Sequence, residues 1–391
     1  MAFEMKKLND VCRLINGRAY KKPEMLAEGK YPLLRVGNFF SNRAWYYSDL
    51  ELNEDKYCDN GDLLYAWSAS FGPRIWDGGK VIYHYHIWKI EINEELVDKG
   101  YLFHLLDWDT EQIKAEQGTG STMIHVTKGS MESRSLPFPP TPEQKRIVAI
   151  LDQAFADIGQ ARATTEKNLK NARELFESYL QQVFSQRGEG WDEITLGDAA
   201  EVSTGGTPLK SKNEFWGGDI PWYSSGELND TFTLESKSCI SAAGLDGSNA
   251  KIFPEGSLLI GMYDTAALKM SILDRDGAFN QAIAGVKPNN KINLEFILHS
   301  INFIKPELLK LRRGVRQKNL NQSKIKGIPI RLPSLSEQNQ IVDELRLIRR
   351  NTDDLAVIYT QKLNDLDELK KSILQKAFSG ELTKEKEGAV V

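Results

Sequence analysis

Pro139-Pro140-Thr141-Pro142-Glu143-Gln144-Lys145-Arg146-Ile147-Val148 and Pro333-Ser334-Leu335-Ser336-Glu337-Gln338-Asn339-Gln340-Ile341-Val342 are one phrase written twice, 194 residues apart. The register holds beyond them. Leu151, Leu169, Glu174, Leu175, Ser178, Leu180, Gln181, Phe184 and Ser185 recur without a gap as Leu345, Leu363, Glu368, Leu369, Ser372, Leu374, Gln375, Phe378 and Ser379. Upstream, weaker landmarks keep the same order: Leu8, Asp10 and Gly17 answer to Leu196, Asp198 and Gly205, Pro32 and Gly37 to Pro221 and Gly226, and Gly61 and Leu64 to Gly256 and Leu259. A period this long, present only twice, excludes a solenoid and marks a duplicated domain. The 391 residues thus read as two copies of a variable block followed by a similar block. Such a chain can fold with an internal pseudo-two-fold and present two related but unlike surfaces.

The similar blocks are expected to be helices. Thr141 is placed to cap the first, with Pro142 at the first helical position and Gln144 three residues on; Ser334 and Glu337 supply the corresponding start of the second. Ile147, Leu151, Ala154, Ile158, Ala161, Thr165, Ala172, Phe176, Tyr179 and Val183 form a stripe at close to 3-4 spacing. Ile341, Leu345, Ile348, Thr352, Leu355, Tyr359, Leu363, Leu366, Leu369 and Ile373 form its counterpart. Gly188 and Gly380 follow as stops. Each helix would span about 43 residues, or about 64 Å at the α-helical rise. Stripes this narrow are coiled-coil seams, and each helix can be the other's antiparallel partner. The alternative is two long surface helices, each packed on its own domain.

The variable blocks read as α+β. Strand-like runs at Tyr31–Val36, Asp62–Ala66, Val81–Trp88, Ile220–Tyr223 and Ser257–Ile260 are punctuated by Gly, Pro, Asn and Asp, and one shorter helix follows in each copy, near Leu96–Trp108 and near Leu294–Lys310. The expected domains are a first recognition block over 1–140, a helix over 141–187, a second block over 191–333, a helix over 334–380 and a flexible tail over 381–391.

Composition narrows the function classes. With 41% hydrophobic and 27% charged residues the chain is neither disordered nor membrane-like. Apolar runs such as Leu258-Leu259-Ile260 fall far short of the ~20 residues a membrane helix needs, and the N-terminus has no apolar run behind its charges, so a cytoplasmic location is expected. Fifty basic against 54 acidic residues give a net charge of −4, which argues against coating nucleic acid by bulk electrostatics. Cys12, Cys58 and Cys239 are too scattered for a disulfide framework or a zinc site and read as buried small hydrophobes.

No catalytic motif is present: there is no Walker loop, no GxSxG and no HExxH, and Thr204-Gly205-Gly206-Thr207 lacks the strand-turn-helix setting of a dinucleotide site. His84 and His86 alternate with Tyr83 and Tyr85 on an expected strand, so both would share one face, but no third metal ligand accompanies them. Charge is nevertheless concentrated locally. Lys305, Lys310, Arg312, Arg313, Arg316, Lys318, Lys324 and Lys326 crowd a stretch whose single acid is Glu307. Within it Arg312-Arg313-Gly314-Val315-Arg316-Gln317-Lys318-Asn319 combines side chains able to make bidentate contacts to guanine and adenine edges with a glycine that admits close backbone approach. A solvated basic loop is the other reading. In the first copy Gly118-Thr119-Gly120-Ser121-Thr122 takes the matching place, with Gly120 on Gly314. It is polar without being basic and suits phosphate or base contacts that need less charge. Aromatics cluster with polar residues in 67–74, 210–216 and 222–225.

These residues carry a resemblance. The second copy closes with Gly314-Val315-Arg316-Gln317-Lys318-Asn319, then Ile328-Pro329-Ile330-Arg331-Leu332-Pro333, then Glu337-Gln338-Asn339-Gln340-Ile341-Val342 and a long helix ending near Phe378-Ser379-Gly380-Glu381-Leu382. The first copy repeats this order with Leu136-Pro137-Phe138-Pro139-Pro140 and Glu143-Gln144-Lys145-Arg146-Ile147-Val148. Over essentially its whole length the chain resembles the specificity subunit of type I restriction-modification systems, departing where Gly120-Ser121-Thr122-Met123-Ile124-His125 replaces the Gln-x-Asn of copy two.

The resemblance implies a non-catalytic DNA reader. Each variable block would recognise one half of a split, asymmetric double-stranded DNA sequence, and an antiparallel coiled coil would fix the gap between halves. The chain would hold no cofactor. Two methyltransferase subunits would bring S-adenosylmethionine and restriction subunits ATP and magnesium. The residues expected to face DNA are Trp67, Ser68, Ser70, Arg74, Gly120, Ser121 and Thr122 in copy one. In copy two they are Lys210, Lys212, Asn213, Tyr223, Ser224, Arg312, Arg313, Arg316, Gln317, Lys318 and Asn319. Two rivals stand beside this reading. One is a duplicated coiled-coil scaffold with no DNA role, separable by salt-dependent DNA binding. The other, a self-sufficient methyltransferase, would need an Asn/Asp-Pro-Pro-aromatic motif, which Phe138-Pro139-Pro140-Thr141 is not.

Overall fold

The computed structural model describes residues 3–41, 43–68, 70–116, 126–185, 190–311 and 320–384. The chain divides into two compact units, one of Met1–Glu166 with Thr360–Val391 and the other of Lys167–Tyr359. Each unit therefore takes a variable block, the beginning of the long helix that follows it and the end of the other long helix.

In the first unit, strands Cys12–Asn16, Ile87–Ile92, Leu63–Ser68 and Ser70–Ile75 form an antiparallel sheet in that spatial order. A second sheet runs Tyr46–Ser48, Tyr31–Leu34, Val81–Tyr83, Tyr57–Cys58, with one parallel pair, Tyr31–Leu34 against Val81–Tyr83. Leu63–Ser68 explains how the layers meet. Its alternate residues Leu63 and Tyr65 enter a core shared with Tyr101, Leu105, Ile147, Leu151, Leu374 and Phe378, whereas Leu64 and Ala66 enter one shared with Leu34, Phe39, Trp76 and Tyr83. A strand buried on both faces is apolar throughout instead of alternating, which is why this run has no period-2 signature.

The second unit repeats the plan. Val202–Thr204, Ile283–Val286, Leu258–Gly261 and Met270–Ile272 form the antiparallel sheet, and Ser238–Ile240, Trp216–Tyr223 and Ala278–Phe279 the other, again with one parallel pair, between Trp216–Tyr223 and Ala278–Phe279. Leu258 and Ile260 face the core of Phe176, Phe184, Phe296, Ile341 and Leu345, and Leu259 faces Tyr223, Phe253 and Phe279. Both blocks are closed alike: Met5–Lys7 pairs with Ser135–Pro137, and Asp192–Thr195 with Pro329–Leu332.

The long helices are Thr141–Ser185 and Leu335–Phe378, about 67 and 66 Å at the α-helical rise. Thr141 is itself the first helical residue, Pro140 O accepting from Glu143 and Gln144 N, so the first start lies one residue before the expected one. Ser334 caps the second helix, its Oγ accepting from Glu337 N at 3.3 Å. Gly380, at φ 77°, follows its end; Gly188 lies outside the described residues. The helices pack antiparallel: Arg162 pairs with Asp367 at 2.5 Å in the first unit, and in the second Arg349 lies over the Phe176 ring at 3.6 Å while Tyr179 donates to Glu344 at 2.7 Å. Most of the expected stripe is buried or half-buried, but Leu369 is 47% exposed. Lys370 takes the inward place, its ammonium 5.3 Å from the Phe155 ring centre and 3.0 Å from Asp107. The shorter helices span Lys99–Glu116 and Leu294–Leu311. Among the described residues no helix is long and apolar enough to cross a membrane.

Candidate nucleic-acid interface

The repeated glutamines set the frame on which each block is held. Gln144 is fully buried, accepting from Asp98 N at 2.8 Å and donating to Pro139 O at 2.8 Å and Leu96 O at 3.0 Å. Gln338 reproduces this with Asn293 N, Pro333 O and Lys291 O at 2.8, 2.8 and 3.3 Å. Each glutamine thus ties the start of a long helix to the segment that opens its block's shorter helix.

From that frame the first block extends the hairpin Leu63–Ser68/Ser70–Ile75. Trp67 is half-buried, stacked on Trp88 at 5.7 Å, edge-on to His86 at 5.0 Å, and its indole donates to Tyr85 O at 2.9 Å. Ser68 is buried and Ser70 exposed. Arg74 donates to Phe39 O at 2.6 Å and pairs with Asp77 at 2.7 Å, so its guanidinium already holds the block's own loops. Beyond the shorter helix, Arg134 returns the chain by pairing with buried Asp109 and with Glu116 at the helix end. Gly120, Ser121 and Thr122 lie outside the described residues.

His84 and His86 do not share a strand face. Val81–Tyr83 ends before them, Tyr85 and His86 form a turn, and the next strand begins at Ile87. The bend comes from tertiary main-chain bonds to Arg18, Leu34 and Trp67, which nothing in the local sequence announces. Burial, with help from His86 and Arg35, pushes the His84 imidazole down to about 4, so it is neutral at pH 7. Arg35 lies over the Tyr46 ring at 4.4 Å.

In the second block Lys210, Lys212 and Asn213 are exposed, Lys212 lying 4.7 Å over the Phe215 ring. Ser224 donates to Glu227 at 2.7 Å. Tyr223 is a core residue instead of a surface one: it is buried and its hydroxyl donates to Leu234 O at 3.2 Å. Arg312, Arg313, Arg316, Gln317, Lys318 and Asn319 lie outside the described residues. Leu320 N–H donates to Met262 O at 3.0 Å.

Beside that block lies a feature the motif search passed over. Gly205, Gly206, Thr207, Asn249, Lys251 and Gln281 line an open polar hollow of about 660 Å³. The glycines are required there: a Cβ on Gly205 would stand 2.0 Å from Phe279 O, and one on Gly206 2.3 Å from the Asn249 carbonyl carbon. The signal in the sequence was the Gly205-Gly206 pair, discounted because it does not open a helix. Neither block brings together a cluster of metal-ligating side chains among the described residues. Cys12 and Cys58 are buried, burial pushing the Cys12 thiol up to about 12, while Cys239 is half-buried.

Comparison with known proteins fits two such blocks in tandem. The profile of the family described as "Type I restriction modification DNA specificity domain" matches residues 2–169 and again 188–364. The chain belongs to the type I restriction-modification specificity subunits. It is 24% identical to the MjaVIII specificity subunit of Methanocaldococcus jannaschii, over 97% of this chain and 93% of that one. To the EcoBI specificity subunit of Escherichia coli it is 23% identical, over 96% and 85%. The fold matches that of the crystallised HsdS subunit from Thermoanaerobacter tengcongensis with a TM-score of 0.64 at 21% identity, covering 97% of both chains. It also matches a chain from a structural study of complex assembly in the type I restriction-modification system, with a TM-score of 0.71 at 20% identity, over 97% of this chain and 98% of that one. A specificity subunit is the non-catalytic component of its enzyme.

Proposed function

We propose that each block reads one half of a split, asymmetric sequence in double-stranded DNA. On this reading the two long helices set the gap between halves and dock two methyltransferase subunits, with restriction subunits joining the assembled enzyme. The observation that carries it is the duplication with divergence: the four-stranded antiparallel sheet has one strand order in both blocks, while the sequences of the blocks agree only at scattered landmarks. Two unlike readers on a common spacer produce a bipartite site whose gap is set by geometry, as half-site spacing is in dimeric readers. The exposed Lys210, Lys212 and Asn213 and the segments 118–125 and 312–319 are the proposed contacts, alongside Trp67 and Ser70 in the first block. S-adenosylmethionine, ATP and magnesium belong to the partners.

The test is a block swap. Replacing residues 1–140 by the corresponding block of another specificity subunit, in a complex with the methyltransferase subunits, should change one half of the methylated sequence and leave the other half and the gap intact. A change in both halves would refute the two-reader scheme.

A further inference from the structure

We propose that base selection is carried by one tight turn in each block, with Tyr85 and Gln281 as its specificity-determining side chains. This rests on the DNA-reading function proposed above and names the element that performs it. The turns join Val81–Tyr83 to Ile87–Ile92 in the first block and Ala278–Phe279 to Ile283–Val286 in the second.

Three main-chain hydrogen bonds hold both turns in the same way. His84 N donates to Leu34 O at 2.9 Å, as Asn280 N does to Tyr223 O at 3.0 Å. Ile87 N donates to His84 O at 2.9 Å, as Ile283 N does to Asn280 O at 3.2 Å. Trp67 N donates to His86 O at 3.1 Å, as Met262 N does to Ala282 O at 2.9 Å. Even the internal cap is shared: His86 N donates to His84 Nδ1 at 3.4 Å, and Ala282 N to Asn280 Oδ1 at 3.0 Å. On this common frame sit unrelated residues, His84-Tyr85-His86 against Asn280-Gln281-Ala282. A fixed backbone with interchangeable side chains at its exposed apex is what positional selectivity requires.

The apex residues are exposed and oriented. Tyr85 is 39% exposed, its ring braced by His84 at 4.4 Å, His86 at 4.0 Å and Trp67 at 6.1 Å. Gln281 is exposed at the rim of the polar hollow, and its amide oxygen accepts the Thr207 hydroxyl. One lone pair of that oxygen and both amide hydrogens remain, a donor-acceptor pair that matches N7 and N6 of adenine in the major groove. Lys251 is exposed at the same hollow and suits a flanking phosphate. Tyr85 offers a ring and one hydroxyl, which suits a thymine with its methyl group.

The experiment is competitive methylation of a randomised duplex library by the chain assembled with its methyltransferase subunits. Gln281→Ala should lower discrimination at one adenine of one half by on the order of 10- to 100-fold, leaving the other half unchanged. Tyr85→Ala should do the same at one position of the other half. Thr207→Val, which frees the glutamine, should relax the Gln281 position by less, and Gln281→Glu should move that preference from adenine towards cytosine. Unchanged discrimination at every position by folded Gln281→Ala and Tyr85→Ala would overturn the proposal, as would a uniform loss over both halves. If Gln281→Ala fails to fold, Gln281→Glu decides, its retained adenine preference counting against us. Failure of the underlying reading looks different, since the wild-type complex would then show no split sequence at all.

Discussion

Gln144 and Gln338 are each fully buried with three hydrogen bonds to main chain. Replacing either by alanine leaves those backbone groups unpaired, a cost of about 2–3 kcal/mol, so Gln144→Ala and Gln338→Ala should each shift the urea midpoint well below wild type. A midpoint that does not move would mean water replaces the amide. His299 gives a pH signature. Burial, aided by Arg349 and Arg346, pushes its imidazole down to about 4, while an unfolded histidine titrates near 6.5. The unfolded state therefore takes up the proton first: stability is intact above pH 6.5, drains as pH falls towards 4 and loses nothing further below it, for a total of roughly 3 kcal/mol. Stability measured against pH should be flatter over that window in His299→Gln than in wild type, and parallel curves would contradict the assignment. At this scale the sequence was half legible. Repetition exposed the glutamines but not why they are needed, and Tyr223 read as a surface aromatic because only the packed second sheet reveals its burial.

The long helices were the most legible elements, since a stripe sustained over many turns and a repeated start leave few alternatives. Leu369 was misassigned because Leu366 can be followed on the same face by either the third or the fourth residue, and Lys370 reaches Asp107 only in the folded unit. The His84–His86 turn was invisible for a related reason: alternating aromatics imitate a strand, and the bend is imposed by Arg18, Leu34 and Trp67 main chain. If the helices set the gap, inserting one turn at matching levels of both, near Glu166 and Asn364, should widen the gap in the methylated sequence while both half-sequences persist. A gap that stays constant, with both halves still read, would show that spacing is set elsewhere.

At the scale of the molecule, a net charge of −4 first argues against a nucleic-acid partner, yet bulk charge governs only non-specific attraction. Specific contacts depend on local surfaces, and on the proposed reading these lie on the two blocks. The duplication and the basic stretch at 305–326 made the class of function readable without coordinates. The positions proposed to choose bases were not readable, because they depend on turns and hollows assembled from segments far apart in the chain. The most direct measurement is a genome-wide methylation map of a host carrying the wild-type chain with its methyltransferase subunits. The account predicts one asymmetric motif of two short defined halves separated by a fixed undefined gap, with a methylated base in each half. A continuous or palindromic motif, or methylation that does not depend on this chain, would contradict it.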